Sequence, residues 1–349
     1  RGGVARRAMD ARLQGLVGEG SFGTVHRCTV HGHVFALKRC PKAKRAEYTL
    51  VCLRRELEVH QLLRSDFVVP LVAAWEDDSV YSMLLELQAC DLFDLVSAHD
   101  GTLSELATKF VAACVAVGMA HLHSHRVLYR DLKPENVLIA ADGYARLGDM
   151  GYACRLAPDG RARSFCGTEE YSPPELFRSG RVLSSDWWSV GVLLHELLLG
   201  ETPFAGTNPG AILASIRAYM IADNANSRLR SALMEAQVSV GGAYFVGELL
   251  MVNEEDRLGA SLDELQQHLW FGGFDWAALQ ERSMLAPWTP WPRTDVPPAD
   301  ASLAQGTSEV LSLPESVASA VRSAFATWDS GVPVPSEAPV DPDAYPVGR

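Results

Sequence analysis

The sequence predicts an α+β fold with two lobes, a smaller one rich in strands and a larger one rich in helices. Up to about Leu85 the residues follow strand-like patterns, with one helix-like run from Leu53 to Leu63. Beyond Leu85, segments with helical periodicity dominate. Hydrophobic residues make up 48% of the 349 positions, which is typical of a chain with a sizeable core. We therefore expect a small β-rich lobe with one main helix, followed by a helical lobe.

A glycine-rich hairpin is the first informative element of the small lobe. It reads GEGSFGTVHRCTVHGHVFALK, with Gly18, Gly20 and Gly23 within six residues. A strand-like run follows the glycines, turns at residues 31–33 and returns to end at Lys38. A dinucleotide-binding unit would instead need a helix after the glycines. The hairpin can close over a nucleotide with its backbone N–H groups toward phosphate oxygens, and an ordinary glycine-rich hairpin is the alternative.

Two helices are predicted for the core of the large lobe. Residues 102–105 have the spacing of a capping box, and Leu106, Phe110 and Ala113 begin a helical repeat. The run from Trp187 to Leu199 is apolar almost all round, which predicts a buried helix. We interpret three histidines near the end of the first helix, at positions 121, 123 and 125, as packing residues rather than metal ligands.

The polar residues that could carry chemistry follow the first of these helices. The stretch YRDLKPEN contains Asp131, Lys133 and Asn136, and Asp149 precedes Met150-Gly151. Asp149 and Asn136 offer oxygen ligands for Mg²⁺, and Lys38 and Lys133 offer cations for anionic phosphates. Asp131 is suited to accept the proton of an attacking hydroxyl. Together these residue types are sufficient for phosphoryl transfer, which depends mainly on positioning and charge stabilisation.

In this order the motifs resemble the set of the eukaryotic protein kinases. The matching motifs are Gly18-x-Gly20-x-x-Gly23-x-Val25, Ala36-Leu37-Lys38, Arg130-Asp131 with Asn136, Asp149-Met150-Gly151 and Pro173-Pro174-Glu175. Longer stretches such as SFCGTEEYSPPEL and SSDWWSVGVLLHELLLGETPF resemble the AGC group, nearest to the cAMP- and cGMP-dependent protein kinases. The resemblance implies the two-lobed protein kinase fold. Its divisions would be an N-terminal arm (1–12), a kinase domain (13–271, with N-lobe 13–85, hinge 86–90 and C-lobe 91–271) and an AGC-type tail (272–349).

The resemblance also implies which residues bind ATP and Mg²⁺. Lys38 would hold the α- and β-phosphates and pair with Glu56, rather than with Glu58. The other implied nucleotide-binding residues are Gly18, Gly20, Ser21, Gly23, Val25, Ala36, Glu86 and Leu87. Asn136 and Asp149 would bind the metal, and Asp131 with Lys133 would complete the catalytic set.

Further positions are implied to serve regulation and substrate binding. Ser164 would be the phosphorylation site of the activation segment, with Arg130 reaching its phosphate. Thr168 would tie the substrate loop to Asp131 and Lys133. Glu175 and Arg257 would form a structural ion pair, and Asp186 would support the catalytic loop. Asp91, Glu135 and Glu196 would meet arginines upstream of the target Ser or Thr, so we expect arginine-directed specificity.

Four residues depart from the family pattern. Met150 replaces the usual Phe, and His60 lies where an apolar residue is usual. These two substitutions support the alternative function, a weak pseudokinase or scaffold that binds nucleotide and partners. Glu169 and Ser172 replace residues that usually line an apolar pocket, which predicts a weaker hydrophobic preference for the residue after the target.

Charge and cysteine usage bound the partners and the compartment. The net charge of −12 argues against general nucleic-acid binding, and no membrane segment is expected. Seven scattered cysteines without a CxxC pair predict reduced thiols and a cytoplasmic location, with the nucleus as the second option. Half of the net charge and 11 of the 19 prolines lie near the C-terminus, so we expect a partly disordered tail. Expected partners are protein substrates with upstream arginines and a regulatory subunit or an upstream activating kinase.

Overall fold

The computed structural model describes residues 9–20, 23–42, 47–259, 261–288 and 310–328. It divides into two compact units, one formed by residues 1–64, 69–88 and 294–349 and the other by residues 65–68 and 89–293. The first unit contains the main sheet and the second contains most of the helices. The predicted α+β class with a β-rich and a helical lobe is therefore confirmed.

The described elements follow the chain in this order: β1 (Met9–Gly20), β2 (Gly23–Val30), β3 (His33–Pro41), α1 (Glu47–Leu62), β4 (Leu71–Glu76), β5 (Val80–Glu86), β6 (Cys90–Asp91), α2 (Leu92–Ser97), α3 (Glu105–Ser124), β7 (Val127–Leu128), β8 (Val137–Ile139), β9 (Ala145–Leu147), β10 (Cys154–Arg155), α4 (Ser184–Leu199), α5 (Pro209–Ile221), α6 (Ala225–Glu235), α7 (Val240–Leu249), α8 (Leu262–Gln267), α9 (Trp276–Gln280), β11 (Val310–Leu313) and α10 (Glu315–Trp328). Short 3₁₀ turns lie between several of them, among them Pro134–Asn136 and Met150–Tyr152.

The first unit is built on an antiparallel sheet with the order β11-β1-β2-β3-β5-β4. Side chains alternate between its two faces, so Phe35 and Leu37 of β3 point into a core cluster while Ala36 and Lys38 point to the opposite face. Helix α10 contributes Val317 to that cluster, which means that it covers the face of the sheet opposite Lys38. The fold thereby presents the site lysine on one face and seals the other.

The C-terminal segment contains more regular structure than the expected tail. Strand β11 pairs with β1 in the register Met9↔Leu313, and α10 follows immediately. Leu313, Ala318 and Val321 are buried against the sheet. Phe325 lies within α10, and the acidic residues from Asp329 onward lie outside the described residues.

In the second unit, α3 and α4 form the centre. Trp187 and Trp188 of α4 are fully buried, which confirms the predicted buried helix. Helix α4 ends where Gly200 adopts a left-handed conformation with φ of 80°, which glycine adopts without strain. Helix α3 is long and apolar enough to meet a length-and-composition criterion for membrane spans, and 67% of its apolar window is buried within the fold. That burial is typical of a core helix.

The start of α3 differs from the predicted capping box. The predicted box places the cap at Thr102, whereas Ser104 caps the helix by accepting from Ala107 N, so that Glu105 is the first helical residue. Glu105 instead accepts hydrogen bonds from Ser239 and from Trp270 Nε1. Leu106, expected in the buried repeat, is 71% exposed, whereas Phe110 and Ala113 are buried as predicted.

Candidate active site

Lys38 and Glu56 form a buried ion pair within the sheet unit. Lys38 Nζ lies 2.6 Å from Glu56 Oε1 and 2.8 Å from Oε2. Both side chains are more than nine-tenths buried, whereas Glu58 is exposed. The pair arises because alternation turns Lys38 away from the sheet core and α1 presents Glu56 on its buried side. The pairing inferred from the sequence is present.

The hairpin predicted with its turn at residues 31–33 is formed by β2 and β3, and the glycines lie where β1 pairs with β2. Gly18 pairs with Val25, Gly20 pairs with Gly23, and the register shifts between Leu16 and Gly18. Register shifts of this kind bend a strand and are frequent beside functional sites. A Cβ atom at Gly23 would lie 2.1 Å from the carbonyl oxygen of Arg39, so only glycine fits there. The tip residue Ser21 lies outside the described residues.

The remaining nucleotide-binding candidates of this unit lie on β2, β3 and the end of β5. Val25 of β2 pairs across the sheet with Lys38 of β3, and Ala36, two residues before Lys38 on β3, is buried. Glu86 ends β5, and its carbonyl oxygen accepts from Gln88 Nε2 at 3.1 Å. Leu87 is partly buried between Glu86 and Gln88.

Asp131 is the centre of a hydrogen-bond network in the helical unit. Its Oδ1 accepts from Thr168 N and Oγ1, at 3.1 and 3.0 Å. Its Oδ2 accepts from Asn136 Nδ2 at 2.8 Å, and the same Nδ2 donates to Asp131 O at 2.8 Å. Thr168 therefore ties the substrate loop to Asp131, as expected. Lys133 is partly buried and begins the short turn that carries Asn136.

The environment of Asp131 raises the pKa of its carboxyl group. Burial is the main cause, and the negative charge of Asp149 adds to it, whereas Lys133 and the hydrogen bonds from Thr168 and Asn136 oppose it. A raised pKa makes the carboxylate a stronger proton acceptor. The charge of Asp149 thus acts on Asp131 through space, although it is the smallest of these contributions.

The donor set fits a hard divalent cation. Asn136 uses both N–H bonds of its amide on Asp131, which leaves Oδ1 as the ligand atom. Asp149 is exposed and adds carboxylate oxygens beside a second acid. Oxygen ligands of this kind, a carboxylate and an amide carbonyl, suit a hard divalent cation. Within the described residues, no group of three or more His, Cys, Asp or Glu side chains forms a preassembled metal cage.

Asp186 and Tyr129 hold the catalytic loop in place. Asp186 accepts from Tyr129 N and Arg130 N, each at 2.9 Å, and lies 2.9 Å from His123 Nε2. Tyr129 Oη donates to the carbonyl oxygens of Asn136 and Gly148. The loop that contains Asp131 is thus connected to the segment that leads into Asp149. The sequence indicated the support by Asp186 but not the contact with His123.

Asp149 itself adopts an unusual backbone conformation. Its φ is 36° and its ψ is 84°, and Oδ1 accepts from Gly151 N at 3.1 Å. A non-glycine residue in this region is strained, and such residues cluster at functional sites. Met150 is fully buried, so its flexible thioether is packed within the fold.

Ser164 is exposed on the segment between Asp149 and Thr168, and its hydroxyl accepts from Arg130 Nη1. The predicted neighbours Ser164 and Arg130 are therefore in contact. A second arginine, Arg181, donates to Cys166 O at 2.8 Å. No sequence motif indicated Arg181.

The three acids expected to meet substrate arginines form one electrostatic cluster. Burial raises the pKa of Asp91 to about 6, and the charges of Asp94 and Glu135 contribute. Burial also raises the pKa of Glu196, with a contribution from Glu135, and Tyr171 Oη donates to Glu196 Oε2. Because these carboxylates repel one another, the cluster is suited to bind a cation.

The loop from Thr168 to Glu175 lacks the usual apolar lining at one position. Ser172 is 2% exposed, and its Oγ donates to Thr168 O at 3.3 Å. Glu169 is partly buried. The hydroxyl of Ser172 is therefore committed to the loop backbone, and the position offers less apolar surface than an aliphatic side chain.

Comparison with known proteins identifies the family. A protein kinase domain model matches residues 12–271. The cGMP-dependent protein kinase, isozyme 2 forms cD5/T2, of Drosophila melanogaster is 32% identical over 289 residues, which cover 80% of this chain and 30% of that protein. The cGMP-dependent protein kinase egl-4 of Caenorhabditis elegans is 31% identical, with 78% and 35% covered. Ribosomal protein S6 kinase alpha-1 of Rattus norvegicus is 32% identical, with 79% and 37% covered. The matches span about a third of these relatives' length.

Proposed function

The chain belongs to the protein kinase family and is similar to kinases of the AGC group. On this premise we propose that it phosphorylates Ser or Thr in protein substrates that carry arginines upstream of the target. The observation that carries the proposal is the Asp131 network with Asn136 and Thr168, in the electrostatic range of Asp149. Family membership supports ATP and a divalent metal as cofactors, and we propose Mg²⁺ as the metal. Bound at Asp149 and Asn136, Mg²⁺ would neutralise charge that develops on the transferred phosphoryl group.

The chain's own residues supply the remaining steps. Asp131 accepts the proton of the attacking hydroxyl, and its raised pKa favours that acceptance. Thr168 and Asn136 hold the carboxylate in one orientation, because each carboxylate oxygen accepts from one of them. Lys38, fixed by Glu56, provides positive charge for the phosphates, and the backbone of the glycine hairpin provides N–H donors.

The acidic cluster supports the preference for upstream arginines. The charge of Glu135 acts on both Asp91 and Glu196, and burial is the main cause that raises the pKa values of these two residues. A guanidinium group would relieve their repulsion and pair with carboxylates through its planar fork. We expect peptides with two arginines before the target to be phosphorylated with a much lower KM than peptides with alanines there.

The decisive experiment is the substitution Asp131→Asn. It keeps the shape of the side chain but removes the proton acceptor, so we expect kcat to fall by about 10²–10⁴ while ATP binding changes little. Transfer of radiolabelled phosphate to an arginine-rich peptide and equilibrium binding of ATP measure the two quantities. The matched control is Asp263→Asn on the exposed first turn of α8, which should leave both unchanged.

The possible results distinguish an active kinase from a pseudokinase that acts as a scaffold. If the Asp131→Asn variant transfers phosphate at nearly the wild-type rate, Asp131 is rejected as the base. A wild type that binds ATP but transfers no phosphate to any peptide would favour the scaffold, for which the replacement of the usual Phe by Met150 is the supporting observation.

A further inference from the structure

Two buried guanidinium groups lie beneath the exposed Ser164. Arg130 and Arg181 are 5% and 2% exposed. Arg130 donates to Tyr152 O through Nε, at 2.6 Å, and to Ser164 Oγ through Nη1. Arg181 donates to Cys166 O at 2.8 Å and makes longer contacts with Ser164 O at 3.5 Å and Cys166 Sγ at 3.7 Å. Within the described part of the chain, these arginines donate to backbone carbonyl oxygens, a hydroxyl group and a cysteine sulfur.

The two positive charges lack the anion that buried arginines usually have. Among the described residues, neither guanidinium forms an ion pair with a carboxylate. Burial is the main cause that lowers the pKa of Arg181, and the charge of Arg130 lowers it further, whereas Cys166 raises it. Asp186 also raises the pKa of Arg181, but its oxygens accept from the backbone of Tyr129 and Arg130. Buried charge without a paired partner is costly, so the arrangement is suited to receive an anion.

The backbone holds Arg181 beside the segment that carries Ser164. Ala162 and Arg181 exchange two backbone hydrogen bonds of 2.8 Å, which pair the two strands of chain next to the serine. Gly180 makes this approach feasible, because it has a φ of +89° and a Cβ atom there would lie 2.9 Å from Ala162 O. A group added to Ser164 would therefore meet Arg181 without rearrangement of its backbone.

We propose that Arg181 is a second cationic ligand, beside Arg130, for a phosphate carried by Ser164. The inference rests on the proposed function only in taking Ser164 as a phosphorylated residue. In that modification the Ser164 Oγ–Pγ bond forms, the bond from Pγ to the β-phosphate oxygen of ATP breaks, and ADP leaves. The hydroxyl proton passes to the catalytic carboxylate of the kinase that acts. The product is a dianion with three acceptor oxygens between two guanidinium groups.

The phosphate would add charge-assisted contacts between three segments that Arg130 and Arg181 already join. Arg130 precedes Asp131 and also bonds Tyr152, next to the Asp149 turn. Arg181 belongs to the loop that leads into α4. Phosphorylation would thus fix the activation segment against the catalytic loop on one side and against the α4 loop on the other. Arg181 acts here as a positioning residue.

The test is the titration of the phosphate in the full chain. Phosphoserine is incorporated at position 164 during translation, so that the chain's own activity is not needed, and its ³¹P resonance is followed against pH. The second pKa of free phosphoserine is about 6. Two adjacent cations should lower it by about one unit or more, and Arg181→Gln should abolish at least half of that shift. Arg181→Lys should retain part of it, since lysine keeps the charge but not the planar fork.

Arg163→Gln is the matched control, because Arg163 adjoins Ser164 but is exposed and pairs with Asp159. We expect this change to leave the titration nearly unaltered. A wild-type phosphate that titrates like free phosphoserine overturns the proposal, even if Arg181→Gln does not fold. Equal effects of Arg163→Gln and Arg181→Gln also overturn it. Peptide phosphorylation is assayed separately, so a shifted phosphate in an inactive chain would reject the proposed function and keep this site.

Discussion

Two buried ion pairs, one in each unit, differ in the kind of cation that holds the carboxylate. In the helical unit, Arg257 contacts both oxygens of Glu175, at 2.8 and 2.9 Å, and also donates to Ser184 O and Met251 O. Ser185 Oγ donates to Glu175 as well. In the sheet unit, Lys38 contacts both oxygens of Glu56 through a single nitrogen. An ammonium is a point charge with rotatable donors, whereas a guanidinium fork matches one carboxylate.

The difference separates a structural pair from a functional one. Burial by itself would raise the pKa of Glu175, but the hydrogen bonds and charge of Arg257 and the Ser185 hydroxyl hold it below its usual range. That lowered pKa means that the folded state prefers the charged pair, and the stabilisation is lost as pH falls through the folded pKa. The Lys38–Glu56 pair instead holds a cation that can also face a phosphate. Breaking the Glu175–Arg257 pair should therefore lower the free energy of unfolding, and breaking the Lys38–Glu56 pair should lower kinase activity.

The largest expected effect follows from Arg257→Met. It leaves Glu175 buried without its partner, so we expect a loss of about 3–5 kcal/mol in the free energy of unfolding. Urea denaturation measures the loss as a lower midpoint at an unchanged slope. The double variant Arg257→Met/Glu175→Leu should regain most of it, because no uncompensated charge remains. A loss below about 1 kcal/mol in the single variant would contradict the structural role of the pair.

The second effect follows from Lys38→Met. Loss of this cation should lower kcat/KM for peptide phosphorylation by about 10²–10³, by analogy with the removal of one electrostatic group from an active site. Adding Glu56→Leu should restore stability but not activity, in contrast to the Arg257 double variant. The control is Lys42→Met, since Lys42 directly follows β3 and forms a partly exposed ion pair with Glu76. Recovery of activity in the Lys38/Glu56 double variant would show that the pair is only structural.

The sequence could predict the Lys38–Glu56 pair and the Asp131 network because their motifs are short and keep a fixed order along the chain. It could not predict contacts between distant residues that carry no motif. Glu105 matches a capping box locally, but Ser239 and Trp270 provide stronger donors from far along the chain. Arg181 has no local signal either, because its role depends on the backbone pairing with Ala162.

The tail illustrates the same limit. Proline content and negative charge predicted a tail that is ordered only where it packs on the body, but they did not predict that residues Val310–Leu313 add a strand to β1 or that α10 covers the sheet. Four strand residues and a helix rich in alanine give only a weak local pattern. Their structure depends on an apolar face formed about 280 residues earlier in the chain, by Ala11, Cys28 and Phe35 among others.

The smallest effect concerns a carboxylate that, unlike Glu175, has a raised pKa. Burial, Asp94 and Glu135 raise the pKa of Asp91 to about 6, so its charge is mostly absent at pH 5 and mostly present at pH 7. The KM for a peptide with upstream arginines should fall about three- to tenfold between these values, since the ionised fraction rises about tenfold. Asp91→Asn should flatten that profile, and a peptide with alanines in place of the arginines should not respond.

The stability that comes from this raised pKa is present at low pH and is lost as pH rises through about 6, so tighter peptide binding would coincide with weaker folding. General acid unfolding would instead weaken both together at low pH, and a KM that does not change with pH would remove Asp91 from the arginine-binding set.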